Sequence, residues 1–270
     1  MNRPKHHPDD CIACTSCVAY CPVSAATREF HGPKIAGPTL ARFRPFTAGE
    51  DSVMTYCSNC KNCDITCPSG VAVSTLNLLA KNEYYKTHGR SLRDWLLSHG
   101  EDMAKMGSTT AALTNWGMAN RLSRVILKKI GITDKLPLPP YAGKTFRQQF
   151  KSLRQHASSE KVILYPGCFI NYNDPQIGLD FVAVMQANGF EVVLPEALEC
   201  CGSPLVVNGF FDEAQTKAEN NIRRLGQWVE KGYPIITCCT SCGLMLKQEY
   251  QELFSIKGNK EVAANLYDAG

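Results

Sequence analysis

The spacing of apolar residues changes once along this chain. Over residues 69–89, "SGVAVSTLNLLAKNEYYKTHG", Leu76, Leu79, Ala80 and Glu83 keep a helical period, and Ser74 is placed to cap the helix. "SLRDWLLSHGEDMAKMG" (91–107) reads as a second helix. "NRLSRVILKKIGI" (120–132) puts Leu122, Val125, Ile126 and Ile130 on one face, and "KLPLPPYAGKTF" (135–146) reads as extended and proline-rich. From 161 onward, short apolar runs alternate with helical ones. "KVILY", "FEVVL" and "YPIIT" are expected strands, each followed by an expected helix: "DPQIGLDFVAVMQANG", "DEAQTKAENNIRRLGQWVEKG" and "CGLMLKQEYQELF". Asp174 can cap the first of these, Pro175 opens it and Gly189 closes it. Such alternation argues for a parallel sheet.

The expected organisation is therefore α+β and multidomain: a helical part over 1–100, a basic helical and proline-rich connector over 101–158, and an α/β part with a short parallel sheet over 159–270. The chain ends in "EVAANLYDAG", which reads as the middle of a helix. The expectation is either a piece of a longer protein or a short form completed by another chain.

Composition sharpens this picture in two places. Net charge is +4, but residues 121–154 carry nine Lys/Arg against Asp134 alone, so that segment is +8 and the remainder −4. Its helix is either a solvated helix packed on the first part or one that lies on an anionic bilayer surface, and the first reading is preferred. No nucleic-acid motif accompanies the charge. The fourteen cysteines are the second feature, because they fall in clusters.

"CIACTSCVAYCP" (11–22) and "CSNCKNCDITCP" (57–68) each have the C-x2-C-x2-C-x3-C-P spacing of a [4Fe–4S] ferredoxin site. Three cysteines on one tight loop reach three irons of one cube, and the fourth serves the other cube. One cluster is then expected on Cys11, Cys14, Cys17 and Cys67, and the other on Cys57, Cys60, Cys63 and Cys21. Pro22 and Pro68 are expected to end the loops and shield the clusters. Zinc commonly uses two separated pairs and has no need of the triple, and disulfides need an oxidising compartment, so both are weaker readings.

The other six cysteines follow the expected strands: Cys168 after the first, Cys200 and Cys201 after the second, Cys238, Cys239 and Cys242 after the third. Ligands of open α/β sheets bind beyond the carboxyl ends of the strands, so five or six thiols are expected to meet at one metal site.

"YPGC…CCG…CCTSC" resembles the cysteine-rich CCG domain of heterodisulfide reductases and related redox subunits. That resemblance implies a non-cubane [4Fe–4S] cluster on Cys168, Cys200, Cys201, Cys239 and Cys242, with Cys238 as the alternative to Cys239. "HGPKIAGP", "SLRDWLLSHG", "CFINYNDPQIG" and "CCGSPLVVNGF" extend the likeness over the whole chain to the iron–sulfur subunits of anaerobic glycerol-3-phosphate dehydrogenases. Those have a helical dicluster ferredoxin domain and two CCG repeats, where this chain has one. The resemblance implies an electron-transfer subunit of anaerobic respiration. Flavin-bearing partner subunits would oxidise glycerol 3-phosphate, and the clusters would pass the electrons to a membrane quinone, menaquinone by expectation. The protein would be cytoplasmic and peripheral on the inner face of the cell membrane. The absence of G-x-G-x-x-G and G-x-x-x-x-G-K-[ST] agrees with a chain that does not itself oxidise substrate. The alternatives are the iron–sulfur subunit of a glycolate or lactate oxidation complex, a disulfide-reducing enzyme and a zinc-stapled module.

Overall fold

A computed structural model describes residues 7–47 and 51–269. The chain divides into two compact units: Met1–Ser98 with Pro204–Phe211, and His99–Ser203 with Asp212–Gly270.

The first unit is helical. Its longest element, Val73–His88, buries Val73, Asn77, Leu78, Lys81 and Tyr85. The π-helical turn Ile35–Thr39 lies against this helix: a Cβ on Gly37 would come within 3.2 Å of a Val73 methyl. Cys21, Phe30, Ala36 and Met54 form one apolar cluster, and Cys17, Cys63, Val71 and Val73 another. Ser74 is not the cap of the long helix. Ala72 holds that position, and Ser74 sits in the first turn, donating its backbone N–H and its hydroxyl to Asp64. The distant segment Pro204–Phe211 packs here because Tyr85 covers Gly209, whose added Cβ would be 2.5 Å from the ring. Arg90 donates to the Gly209 carbonyl and lies 4.4 Å over the Phe210 ring.

The second unit carries a four-stranded, wholly parallel sheet of order β2-β1-β3-β4, with β1 Lys161–Tyr165, β2 Glu191–Val193, β3 Ile235–Thr237 and β4 Leu266–Asp268. The fourth strand corrects the reading of the chain's last residues as mid-helix. The helix Asn259–Ala264 stops at Asn265, and Leu266–Asp268 pairs with Ile235–Thr237. Leu266 is buried at 1% exposure, which ties the strand into the core. β1 is buried from Val162 to Tyr165, as expected of a central strand covered on both faces.

Val162 and Leu164 meet Ile170, Phe181, Val182, Val192 and Phe146. Phe146 comes from the proline-rich stretch read as connector. It opens the helix Phe146–Ser152, held by a capping box between Thr145 and Gln148. Its ring fills the space over Gly178, where a Cβ would be 2.6 Å away. Full burial of such a ring contributes about 1.5–3 kcal/mol. Residues 99–158 thus belong to the compact unit of the sheet. The expected single helix over 91–107 is two, Leu92–Ser98 and Gly100–Thr109, broken at His99. The basic helix Arg121–Lys129 is capped by Asn120 and buries none of its residues; Leu122, Val125 and Ile126 are exposed. It falls in the sheet's unit, not in the helical one as the preferred reading had it. No helix among the described residues is long and apolar enough to cross a membrane.

Candidate metal centres

The two ferredoxin-like loops share a backbone. Residues on either side of the middle cysteine are left-handed in both: Ala13 (φ +60°) and Thr15 (+66°) around Cys14, Asn59 (+56°) and Lys61 (+65°) around Cys60. None of the four is glycine, and each such residue costs about 1–2 kcal/mol. The repeated conformation wraps the chain into a concavity whose amides turn toward the thiols, the nest geometry of many iron–sulfur sites. The Ser16 amide donates to Cys14, that of Asn59 to Cys57 and that of Lys34 to Cys17. A short helix begins right after each left-handed pair, at Ser16–Ala19 and Asn62–Ile65. Pro22 is exposed at the first position of the helix Pro22–Ala26, and Pro68 is also exposed, so neither covers its loop.

The thiols group across the two runs. Cys17 lies within the electrostatic reach of Cys11, Cys14 and Cys67, and Cys63 within that of Cys57 and Cys60. Cys21, Cys57, Cys60 and Cys63 line one cavity. Burial raises the Cys17, Cys57 and Cys63 thiols above their ordinary pKa, whereas hydrogen bonds to Ser16 lower that of Cys14. The Cys67 sulfur accepts from the Val71 amide at 3.3 Å.

In the second unit the parallel strands deliver their carboxyl ends to one edge, and the remaining cysteines follow those ends. Cys168 and Cys200 have their sulfurs 3.8 Å apart. Cys200 also contacts Cys201, Cys201 contacts Cys242, and Cys242 contacts Cys239, making a continuous file of five thiols. Cys238 stands apart, packed on the apolar cluster of Val162 and Leu164. The hydrogen bond from Cys242 lowers the Cys239 pKa to about 6, while burial, with Asp268, pushes Cys238 up to about 11. Glycines let the backbone approach: Gly167 (φ +68°) lies where a Cβ would be 2.9 Å from the Cys242 sulfur. Among the described residues no group of His, Cys, Asp or Glu has the geometry to hold a single metal ion, and no cysteine is in a disulfide.

Residues that spacing could not reveal brace this file. Glu101, 9% exposed, accepts from the Cys200 amide at 3.1 Å and from Lys217 at 2.9 Å. Tyr250 donates its hydroxyl to the Cys201 carbonyl at 2.7 Å, and Asn221 donates to the Cys200 and Glu199 carbonyls. In the first unit Lys81, 3% exposed, donates to the Cys57 carbonyl, and the Asn77 amide lies 3.9 Å from the Cys57 sulfur. Nothing in a helical "HGED" or "LLAK" marks those roles.

Paired ferredoxin loops followed by a thiol-rimmed parallel sheet define an iron–sulfur protein of two parts. Residues 8–71 match the 4Fe-4S dicluster domain family and residues 162–247 the cysteine-rich domain family. The chain combines these two families in the order found in the iron–sulfur subunit of the anaerobic glycerol-3-phosphate dehydrogenase of Escherichia coli K12. To that protein it is 36% identical over 253 residues, 92% of this chain and 64% of the relative. It is also similar to a subunit of the fumarate reductase (CoM/CoB) of Methanothermobacter marburgensis, at 27% identity over 89% of this chain and 43% of the relative. Lactate utilization protein A 2 of Bacillus cereus matches at 33% over 101 residues, 37% of this chain and 39% of the relative. The chain thus spans less than two thirds of the length of these relatives. No solved structure matches it. A dicluster domain holds two iron–sulfur clusters, and its match covers all of the ferredoxin-spaced cysteines.

Proposed function

We propose that this chain is the iron–sulfur electron-transfer subunit of a respiratory glycerol-3-phosphate dehydrogenase. It would take electrons from flavin-containing partner subunits and deliver them to a membrane quinone, menaquinone in anaerobic respiration. The observation that carries this reading is the coexistence, in one chain, of two crossed four-cysteine groups and a five-cysteine file at a sheet edge. The 36% likeness to the Escherichia coli protein supports the choice of substrate. The two clusters of the first unit are [4Fe–4S] cubanes, one on Cys11, Cys14, Cys17 and Cys67, the other on Cys57, Cys60, Cys63 and Cys21. The file Cys168, Cys200, Cys201, Cys242 and Cys239 holds a third, non-cubane [4Fe–4S] cluster, and Cys238 is not a ligand. Adjacent Cys200 and Cys201 suit two irons of one cluster better than a single tetrahedral ion.

When bound, such clusters accept and release one electron at a time. The protein's own part is to hold the thiols and set the field around them. Lys81 places a buried cation beside Cys57. Glu101 fixes the Cys200 amide, and Tyr250 fixes the Cys201 carbonyl. Peripheral attachment to the inner membrane face is supported by the exposed Leu122, Val125 and Ile126 on a helix that also carries Arg121, Arg124, Lys128 and Lys129.

Iron and acid-labile sulfide, counted per chain on protein purified without oxygen, test the cluster assignment. About twelve iron is expected for three clusters, and about eight would remove the third. The dehydrogenase that co-purifies tests the substrate. A glycerol 3-phosphate-oxidising flavoprotein is expected, and a lactate-oxidising one would replace this reading.

A further inference from the structure

A cavity of about 450 Å³ opens beside the five-thiol file, within the second unit. That size falls in the range of small-molecule sites. Its back wall is backbone: Gly167, which precedes Cys168, and Leu198 and Glu199, which precede Cys200. The side chains facing the cavity are mostly charged, and their pairing is uneven. Glu101 is engaged by Lys217 and the Cys200 amide, and Glu199 by Lys217 at 3.6 Å and Asn220 at 2.7 Å. Lys105 pairs with Asp102 at 3.3 Å and Glu101 at 3.8 Å.

Two guanidinium groups on the same cavity have no carboxylate partner among the described residues. Arg147 donates to the Pro195 carbonyl at 2.8 Å, and Arg224 to the Asn220 side-chain oxygen at 3.0 Å. The fields of Glu101 and Glu196 reach Arg147 without contact, and its burial opposes its charge. A guanidinium presents five N–H donors in a planar fork, and one neutral acceptor leaves most of the fork free. A half-buried fork that faces a cavity is matched by an oxyanion, which accepts paired charge-assisted hydrogen bonds.

We propose that this cavity is a binding site for a small oxyanion, a carboxylate or phosphate group, held between Arg147 and Arg224. The bound group lies against the backbone that carries Cys168 and Cys200. The site rests on the two arginines and the cavity, and it exists whether or not the thiols hold a cluster. If they do, the ligand's negative charge sits next to that cluster and alters its spectrum.

The test is a calorimetric titration of the full chain with inorganic phosphate at constant ionic strength, on protein whose iron has been counted. Saturable binding in the millimolar range or tighter is expected. Arg147→Met and Arg224→Met should each weaken it about tenfold, the effect of losing one charge-assisted contact. Arg223→Met, on the same helix but off the cavity, should leave it unchanged. Arg224 sits at the surface of its helix, so its substitution keeps the proposal testable if the Arg147 variant fails to fold. No saturable binding, or equal binding in the Arg224 and Arg223 variants, overturns the site. A low iron count bears only on the cluster assignment.

Discussion

The loops 11–17 and 57–63 have one spacing and one backbone, yet different surroundings. Ala13 and Thr15 are exposed where their counterparts Asn59 and Lys61 are 9% and 6% exposed. Cys11 is half-buried and Cys57 is buried. Ile12 and Tyr20 stand in solvent beside the first loop, at 67% and 64% exposure. The second loop is enclosed by Asp64, Ser74, Asn77 and Lys81 of its own unit. The difference teaches that a ligand motif fixes what is bound, whereas burial and neighbouring charge fix how the bound group behaves. An open cluster exchanges electrons readily with a partner. An enclosed one, next to a cation, is easier to reduce and harder to damage.

Substitutions across the two runs bear hardest on this contrast. Cys21→Ser should cost the enclosed loop its cluster, a drop of roughly four iron per chain with the other cluster's spectrum intact. Loss of the 11–17 cluster instead would mean that each run serves its own cube. Chelator under mild oxidant should strip the open site first, giving two kinetic phases of iron release; a single phase would remove the distinction. Lys81→Met should lower the potential of the enclosed cluster alone, by roughly 60 mV, the one-electron equivalent of about 1.4 kcal/mol. Redox titration followed by electron paramagnetic resonance reads both clusters at once, and an equal shift in both would show that Lys81 does not discriminate. Ala13→Gly should have the smallest effect. It relieves left-handed strain but adds chain entropy, so thermal unfolding of the iron-loaded protein should change by less than about 1 kcal/mol.

The cysteine runs and the central strand were legible because each carries its own local signal. Thiols at fixed spacing stand out at once, and "KVILY" is apolar from Val162 to Tyr165. Elements that depend on distant partners were not. Leu266–Asp268 is three residues long and becomes a strand only because β3 offers an open edge. The break at His99 has no proline to announce it. Ser74 looked like a cap because capping residues are recognised by type, but Asp64 claimed its hydroxyl. Asp174 precedes its helix as expected and yet makes no side-chain cap. Of the third site, the cysteines were visible as a set of strand ends. Their braces Glu101, Asn221 and Tyr250 were not, since a single polar residue on a helix has no pattern. The stretch "SPLVVNGF" made sense as a resemblance before it made sense as structure, where Gly209 admits the Tyr85 ring.

The first unit is discontinuous in the chain, and that has a temporal consequence. Its cysteines and most of its helices are complete by Ser98, but its last segment ends at Phe211, 113 residues later (211 minus 98). At roughly 5–20 residues per second, the ribosome adds those residues in about 6–20 s. For that interval the nascent chain exposes ready thiols while Tyr85 and Arg90 still wait for Gly209 and Phe210. Metal delivery and translation therefore overlap, and slowing the ribosome between Ser98 and Pro204 lengthens the window in which those thiols are vulnerable.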